Sequence, residues 1–185
     1  NKSANHVQLN SNINVAGAIS MVSNNLLLNN FNIGLGTTGS ITGENELSYI
    51  SGTTGGFISR TAVLDAPQAV NPGNMGILIT SSADLGSTII SRGHTPLMGS
   101  PHPSISRYYN IQPTNNTALD ASIRFYYLNA EVGALPENQL YVWQSADGGT
   151  NWSFLNRDGF STITNFVDEN NLGSSLMDVG ETLMG

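Results

Sequence analysis

The chain has no cysteine, a single lysine (Lys2) and no apolar run close to the 18 or so residues that a membrane-spanning helix needs. Without cysteine there is no disulfide framework, no thiolate metal site and no cysteine nucleophile. Lys+Arg number 6 against Asp+Glu 13, a formal net charge of −7. Binding nucleic acid requires clustered cations to neutralise phosphates, so this balance argues against such a partner. Charged residues of both signs make up only 10 % of the chain, against about 25 % in an average domain. Helical periodicity is almost missing as well. No basic segment precedes an apolar stretch, so the signal peptide of an exported form is expected outside these residues.

What replaces charge is amide and hydroxyl. The 185 residues include 23 Asn, 21 Ser, 15 Thr and 20 Gly. Short polar side chains of this kind serve turns and strand faces and suit secreted and cell-surface β-proteins. Hydrophobic residues reach 39 % and come in ordered runs, so the composition is not that of a disordered chain. The length fits one domain, or a compact body with a small appendage.

Period-2 patterns recur throughout, which predicts an all-β fold. Residues 1–60 are rich in Asn and Gly and repeat a rhythm. Val7, Leu26 and Leu47 are spaced by 19 and 21 residues, and Gly36-Thr37-Thr38-Gly39-Ser40-Ile41 returns as Gly52-Thr53-Thr54-Gly55-Gly56-Phe57-Ile58. A repeat of about 20 residues with tiny strands reads as a short β-solenoid, with the Asn pairs 24–25 and 29–30 at its corners. Ordinary Asn-rich hairpins are the other reading. Residues 61–75, with Pro67, Pro72, Gly73 and Asn74, read as a linker. Residues 76–185 hold about eight strand candidates separated by turn signals, the pattern of an antiparallel β-sandwich.

One local motif stands out. Ser145-Ala146-Asp147-Gly148-Gly149-Thr150-Asn151-Trp152 fits the Asp-box pattern S-x-D-x-G-x-T-W, with Asn151 in the threonine place. Ser145, Asp147, Gly149 and Trp152 are expected to build a structural turn, with Asp147 accepting amide hydrogen bonds and Trp152 packed beneath. Asp boxes also occur in sialidase propellers, but this chain has one copy and is too short for a propeller. Glycoside hydrolysis needs two carboxylates across a cleft. The thirteen acids, Glu44 and Glu46 included, give no sign of such a pair. His94 and His102 flank one loop without a third ligand or a recognised metal spacing. The oxygen-rich run Asp168-Glu169-Asn170-Asn171 could hold a structural calcium, although not in EF-hand order. No other cofactor is expected.

The aromatics fall into two sets. Tyr108-Tyr109 and Phe125-Tyr126-Tyr127 are expected on neighbouring strands, and Trp143 and Trp152 flank the Asp-box hairpin. Inward-facing rings would form the core, while outward-facing Trp143, Trp152 and Tyr126 would offer a platform for sugar rings. Arg107 and Arg124, on strands among aromatics, are expected to stack or to pair with an acid.

Five stretches carry a resemblance to a known family. They are 75–88, Ile90-Ser91-Arg92-Gly93-His94, 104–113, Leu119-Asp120-Ala121-Ser122-Ile123-Arg124-Phe125-Tyr126-Tyr127 and Ser145-Ala146-Asp147-Gly148-Gly149-Thr150. Together they resemble a module of large exported surface proteins of Bacteroidetes, in which an Asn/Gly-rich segment like 26–60 precedes the module. The resemblance implies a secreted or cell-surface protein, a type IX secretion substrate or gliding-adhesin-like, and carries over no functional residues. The expectation is a non-catalytic structural or adhesion module of a larger extracellular protein. The alternative is a carbohydrate-binding module, with a glycan-active enzyme fragment behind it. Its partners would be other modules of the same polypeptide, surface glycans or secretion machinery.

Overall fold

A computed structural model describes residues 2–3, 6–98, 103–170, 172 and 179–184. The fold is all-β. Nine strands come first: β1 (Lys2–Ser3), β2 (His6–Gln8), β3 (Ile13–Asn14), β4 (Ala18–Ser20), β5 (Leu26–Leu27), β6 (Ile33–Gly34), β7 (Ser40–Thr42), β8 (Ile50–Ser51) and β9 (Phe57–Asp65). After a tight turn at Pro72–Asn74 come β10 (Ile77–Thr80), β11 (Asp84–Gly93), β12 (Ser104–Pro113) and β13 (Ser122–Tyr126). One short helix, α1 (Asn129–Val132), leads into β14 (Tyr141–Ser145), β15 (Ser153–Asn156), β16 (Gly159–Ser161), β17 (Phe166–Glu169) and β18 (Val179–Met184).

The short N-terminal strands pair in parallel. Val7 lies opposite Leu26 and Leu26 opposite Ile50, Ile13 opposite Ile33 and Ile33 opposite Ile58, and Ile19 opposite Ile41. Successive turns of chain therefore lie on one another, with Leu28, Ile33, Leu35, Ile41, Ile50 and Ile58 fully buried. Each such side chain contributes about 1.5–3 kcal/mol when taken out of water. Asparagine links the layers: the Asn32 amide donates to Asn12 Oδ1 at 2.8 Å, and the Phe57 amide donates to Asn32 Oδ1 at 3.1 Å. Asn24 and Asn29 take left-handed backbone at the corners (φ 62° and 54°).

The sequence rhythm misplaced the third layer. Ile50, not Leu47, continues the row from Leu26, and Leu47 is 86 % exposed. Residues 43–48 loop outward, and the added length separates the Gly-Thr-Thr-Gly copies. The first lies between β6 and β7, the second between β8 and β9, at different corners of the stack.

The boundary at 60 and the linker from 61 are also corrected. β9 crosses both, pairing in parallel with β6 through Ile58 and antiparallel with β11 from Phe57 to Asp65. One sheet consequently runs β15-β14-β18-β12-β11-β9-β6-β3, from the antiparallel body into the parallel stack without a break. A second sheet has the order β10-β13-β17-β16. In the smaller sheet β16 and β17 form an antiparallel hairpin.

The two tyrosine-bearing strands, expected side by side, lie in different sheets. β12 belongs to the larger sheet and β13 to the smaller, and the Tyr109 and Phe125 rings meet between them at 5.4 Å. Ile77, Ile79, Ile90, Ile111, Ile123 and Val142 complete the shared core. No helix among the described residues is long and apolar enough to cross a membrane.

Candidate functional site

Alternation on the strands decides which side chains face inward. On β12, Arg107, Tyr109 and Ile111 are buried, so Tyr108, Asn110 and Gln112 point to the outer face of the larger sheet. On β14, Val142 is buried while Tyr141 and Trp143 are half-buried on the outer side. The register then draws one line across that face. Phe57 lies opposite Gly93, Gly93 opposite Tyr108, Tyr108 opposite Thr182, Thr182 opposite Trp143 and Trp143 opposite Phe154. Four of these six residues are aromatic, and Phe57 and Phe154 are 39 % and 53 % exposed. The Tyr108 ring lies over Gly93, in the space that a Cβ there would fill. Phe154 packs edge-on between Tyr141 and Trp143, at 5.4 and 5.2 Å between centroids.

The Asp-box-like loop arches over one end of this face. Asp147 Oδ1 accepts from the Thr150 amide (3.1 Å), the Asn151 amide (2.8 Å) and the Ser145 hydroxyl (3.0 Å). Ser145, 1 % exposed, accepts in turn from the Gly149 amide at 2.8 Å. Gly148 and Gly149 take positive φ (78° and 79°), as a turn this tight requires. The amide and side chain of Asn151 hold the Asp147 carboxyl below its usual pKa. The indole of Trp152 donates to Gly149 O at 3.1 Å. Trp152 is half-buried rather than hidden under the turn, and one side of it faces a groove.

That groove has a volume of about 370 Å³, the lower range of small-ligand sites. Its floor is Tyr108, Asn110 and Gln112 of β12 with Ser91 of β11; Phe57 stands on the β9 side and Trp152 on the other. Among the described residues, no charged side chain lines it.

The expected platform of Trp143, Trp152 and Tyr126 is therefore split. Trp143 and Trp152 belong to the outer side of the larger sheet, and Tyr126 lies on the smaller one. There its ring meets Phe166 at 6.2 Å, while Arg124 sits 4.0 Å over Phe166 and grips Asp168 at 2.6 and 2.8 Å. Of the three residues of the calcium expectation, Asp168 and Asn170 line one depression with Arg124, and Glu169 does not. Asp168 and Glu169 alternate on β17 and face opposite sides, Asp168 is held by Arg124, and the Asn170 amide donates to Asp158 at 2.8 Å. Burial, and then the Asp158 charge, push the Glu169 carboxyl up to about 7. Asn171 and His102 lie outside the described residues.

Sequence reasoning missed a second polar cluster, between the stack and the sheets. Arg92, fully buried, holds Glu44 with two hydrogen bonds of 2.7 and 2.8 Å and also donates to Met75 O at 3.0 Å. His94 stands beside Arg92 (3.4 Å), and its Nδ1 has no hydrogen-bond partner among the described residues. Burial, followed by the Arg92 and Arg107 charges, lowers the His94 pKa well below its ordinary value and keeps the ring neutral. Arg107 donates to Glu131 Oε1 at 3.0 and 2.8 Å, and Glu131 Oε2 accepts from the Leu128 amide ahead of α1. Glu46 accepts from the Asn129 amide at 2.9 Å. Residues 43–48 bulge from the stack to place both glutamates against the sheet body.

No protein-family model, curated protein or solved structure matches the chain.

Proposed function

We propose that the chain is a non-catalytic module of a larger extracellular or cell-surface protein and that it binds a glycan in the groove under Trp152. One observation carries this reading: three aromatic side chains, Phe57, Tyr108 and Trp152, surround a depression that no charged side chain among the described residues lines and that the amides of Asn110 and Gln112 floor. The negative face of an aromatic ring attracts the C–H bonds on the flat side of a pyranose, and amides hydrogen-bond the hydroxyls at its rim. The Asp-box-like loop is then more than a turn, because its hydrogen bonds fix one wall of the site before any ligand arrives.

The non-catalytic part rests on what the carboxylates are doing. Hydrolysis of a glycosidic bond takes two carboxyl groups about 5–10 Å apart flanking that bond. Glu44, Glu131 and Asp168 are each committed to an arginine, and among the described residues no acid lines the groove. In architecture, we read residues 1–60 as a short β-solenoid-like segment, on the strength of the parallel pairing of successive chain turns. The two larger sheets, with Tyr109 against Phe125 between them, read as a β-sandwich. Amide-rich composition and the resemblance to exported surface proteins of Bacteroidetes support an extracellular setting. The test is a glycan array probed with the purified chain, followed by incubation of each retained glycan with the protein. The expected result is retention without cleavage. Turnover above a buffer blank that disappears on replacing one carboxylate would refute the non-catalytic reading.

A further inference from the structure

Resting on that glycan-binding reading, we infer that the ligand is an uncharged oligosaccharide of all-equatorial pyranoses, in the gluco or xylo configuration. Two features of the groove select it. The first is charge. Among the described residues the lining has no cation to pair with a carboxylate or sulfate, the nearby Asp147 carboxylate is already satisfied by Ser145, Thr150 and Asn151, and the chain carries a net −7. A polyanionic glycan would be repelled at long range and find no compensating partner at short range.

The second feature is the placement of the rings. Phe57 is on β9 and Trp152 follows β14, so they stand on opposite sides of the β12 floor in the strand order β14-β18-β12-β11-β9. A sugar chain passing between them presents one face to each. A pyranose whose substituents are all equatorial has C–H bonds on both faces and directs every hydroxyl outward in the ring plane, toward Asn110, Gln112 and Ser91. An axial hydroxyl, as at C2 of mannose, would put a polar group against one of the rings, and burying it without a partner is costly. The groove volume of about 370 Å³ accommodates roughly two or three sugar residues at the scale of small-ligand sites.

The experiment is titration calorimetry of the whole chain with cellotetraose, xylotetraose, mannotetraose and tetragalacturonate, at low and high salt. Cellotetraose or xylotetraose should bind at least about tenfold more tightly than the other two, with an affinity that salt leaves unchanged. Trp152→Ala should weaken that binding by about tenfold or more. Gln112→Ala, at an exposed position, should weaken it severalfold, while Tyr126→Ala on the opposite sheet should leave it intact. Binding of tetragalacturonate or mannotetraose as tight as that of the neutral gluco and xylo probes would overturn the ligand class and leave the glycan-binding reading standing. Binding indifferent to both Trp152→Ala and Gln112→Ala would overturn the site. No retention of any glycan, charged or neutral, on the array would overturn the glycan-binding reading itself, and the ligand class with it.

Discussion

Replacing Glu44 by glutamine tests whether the stack and the sheets are held together by a buried charge pair. Arg92 has no exposed surface and Glu44 only 14 %, so removing the carboxylate leaves a guanidinium charge in the interior that keeps its hydrogen bonds to Met75 O and His94 but loses its counter-charge. Breaking a buried pair from one side costs about 3–5 kcal/mol. An independent route gives a similar figure. Burial alone would raise the Glu44 pKa, but the charge and hydrogen bonds of Arg92 outweigh it and hold the carboxyl at about 2 rather than 4.5. That depression corresponds to about 3 kcal/mol of folding stability. The carboxyl is easier to ionise in the folded state, so this stability is present in full above pH 4.5 and is lost as the pH falls through about 2. Urea unfolding followed by tryptophan fluorescence, at pH 7, 4, 3 and 2.5, should show Glu44→Gln about 3 kcal/mol less stable at pH 7. The gap between variant and parent should narrow toward the acid end. A pH 7 difference below about 1 kcal/mol, or one that stays constant down to pH 2.5, would show that the pair is not what joins the two parts.

Two further outcomes are expected. Glu169 titrates near 7 in the folded chain against 4.5 for an ordinary glutamate, so folding prefers its protonated form and the parent loses stability as the pH rises from 4.5 to 7. Glu169→Gln should unfold at higher urea than the parent at pH 8, with the advantage shrinking toward pH 4.5; an advantage independent of pH would contradict this. Gly39 sits where a Cβ would run into the carbonyl oxygens of Val15 in the layer above and of Leu35, so Gly39→Ala should force the layers apart and cost about 1–3 kcal/mol. An unchanged thermal midpoint would contradict the close approach of those turns.

Local chemistry was legible in the sequence and distant pairing was not. The all-β class follows from period-2 alternation, and the Ser145–Asp147 turn from side chains whose partners lie within four residues. The stack was visible only in part. Two layers kept a spacing of 19 residues, but the third came at Ile50 because six residues loop outward to deliver Glu44 and Glu46. Nothing local marks that detour: Glu44 and Arg92 are 48 residues apart, and Glu46 is 83 from the Asn129 amide. The groove was missed for a related reason. Tyr108, Asn110 and Gln112 announce one face of a strand, but Phe57 reaches them through two strand pairings and Trp152 through the fold of a loop. Tyr126 lies apart from the tryptophans because β13 pairs with β10 and β17, which only long-range pairing decides.

The scarcity of charge gains a structural meaning from where the charges went. Arg92 and Arg107, two of the six cations, are buried with Glu44 and Glu131 between the stack and the sheets, and Glu46 ties the same loop to the start of α1. Ion pairs exposed to water contribute little, whereas a buried pair costs much when either partner is lost. Concentrated at the junction, these pairs favour one relative placement of stack and sheets over its alternatives, since a slip of a single residue would strand a charge in the interior. The continuous sheet through β6, β9 and β11 adds a backbone tie across the same junction. The groove borrows its wall Phe57 from β9, the strand shared by both parts. The geometry of the proposed glycan site therefore depends on the junction, and loosening it through Glu44→Gln should weaken the proposed glycan binding, read by titration calorimetry, as well as stability.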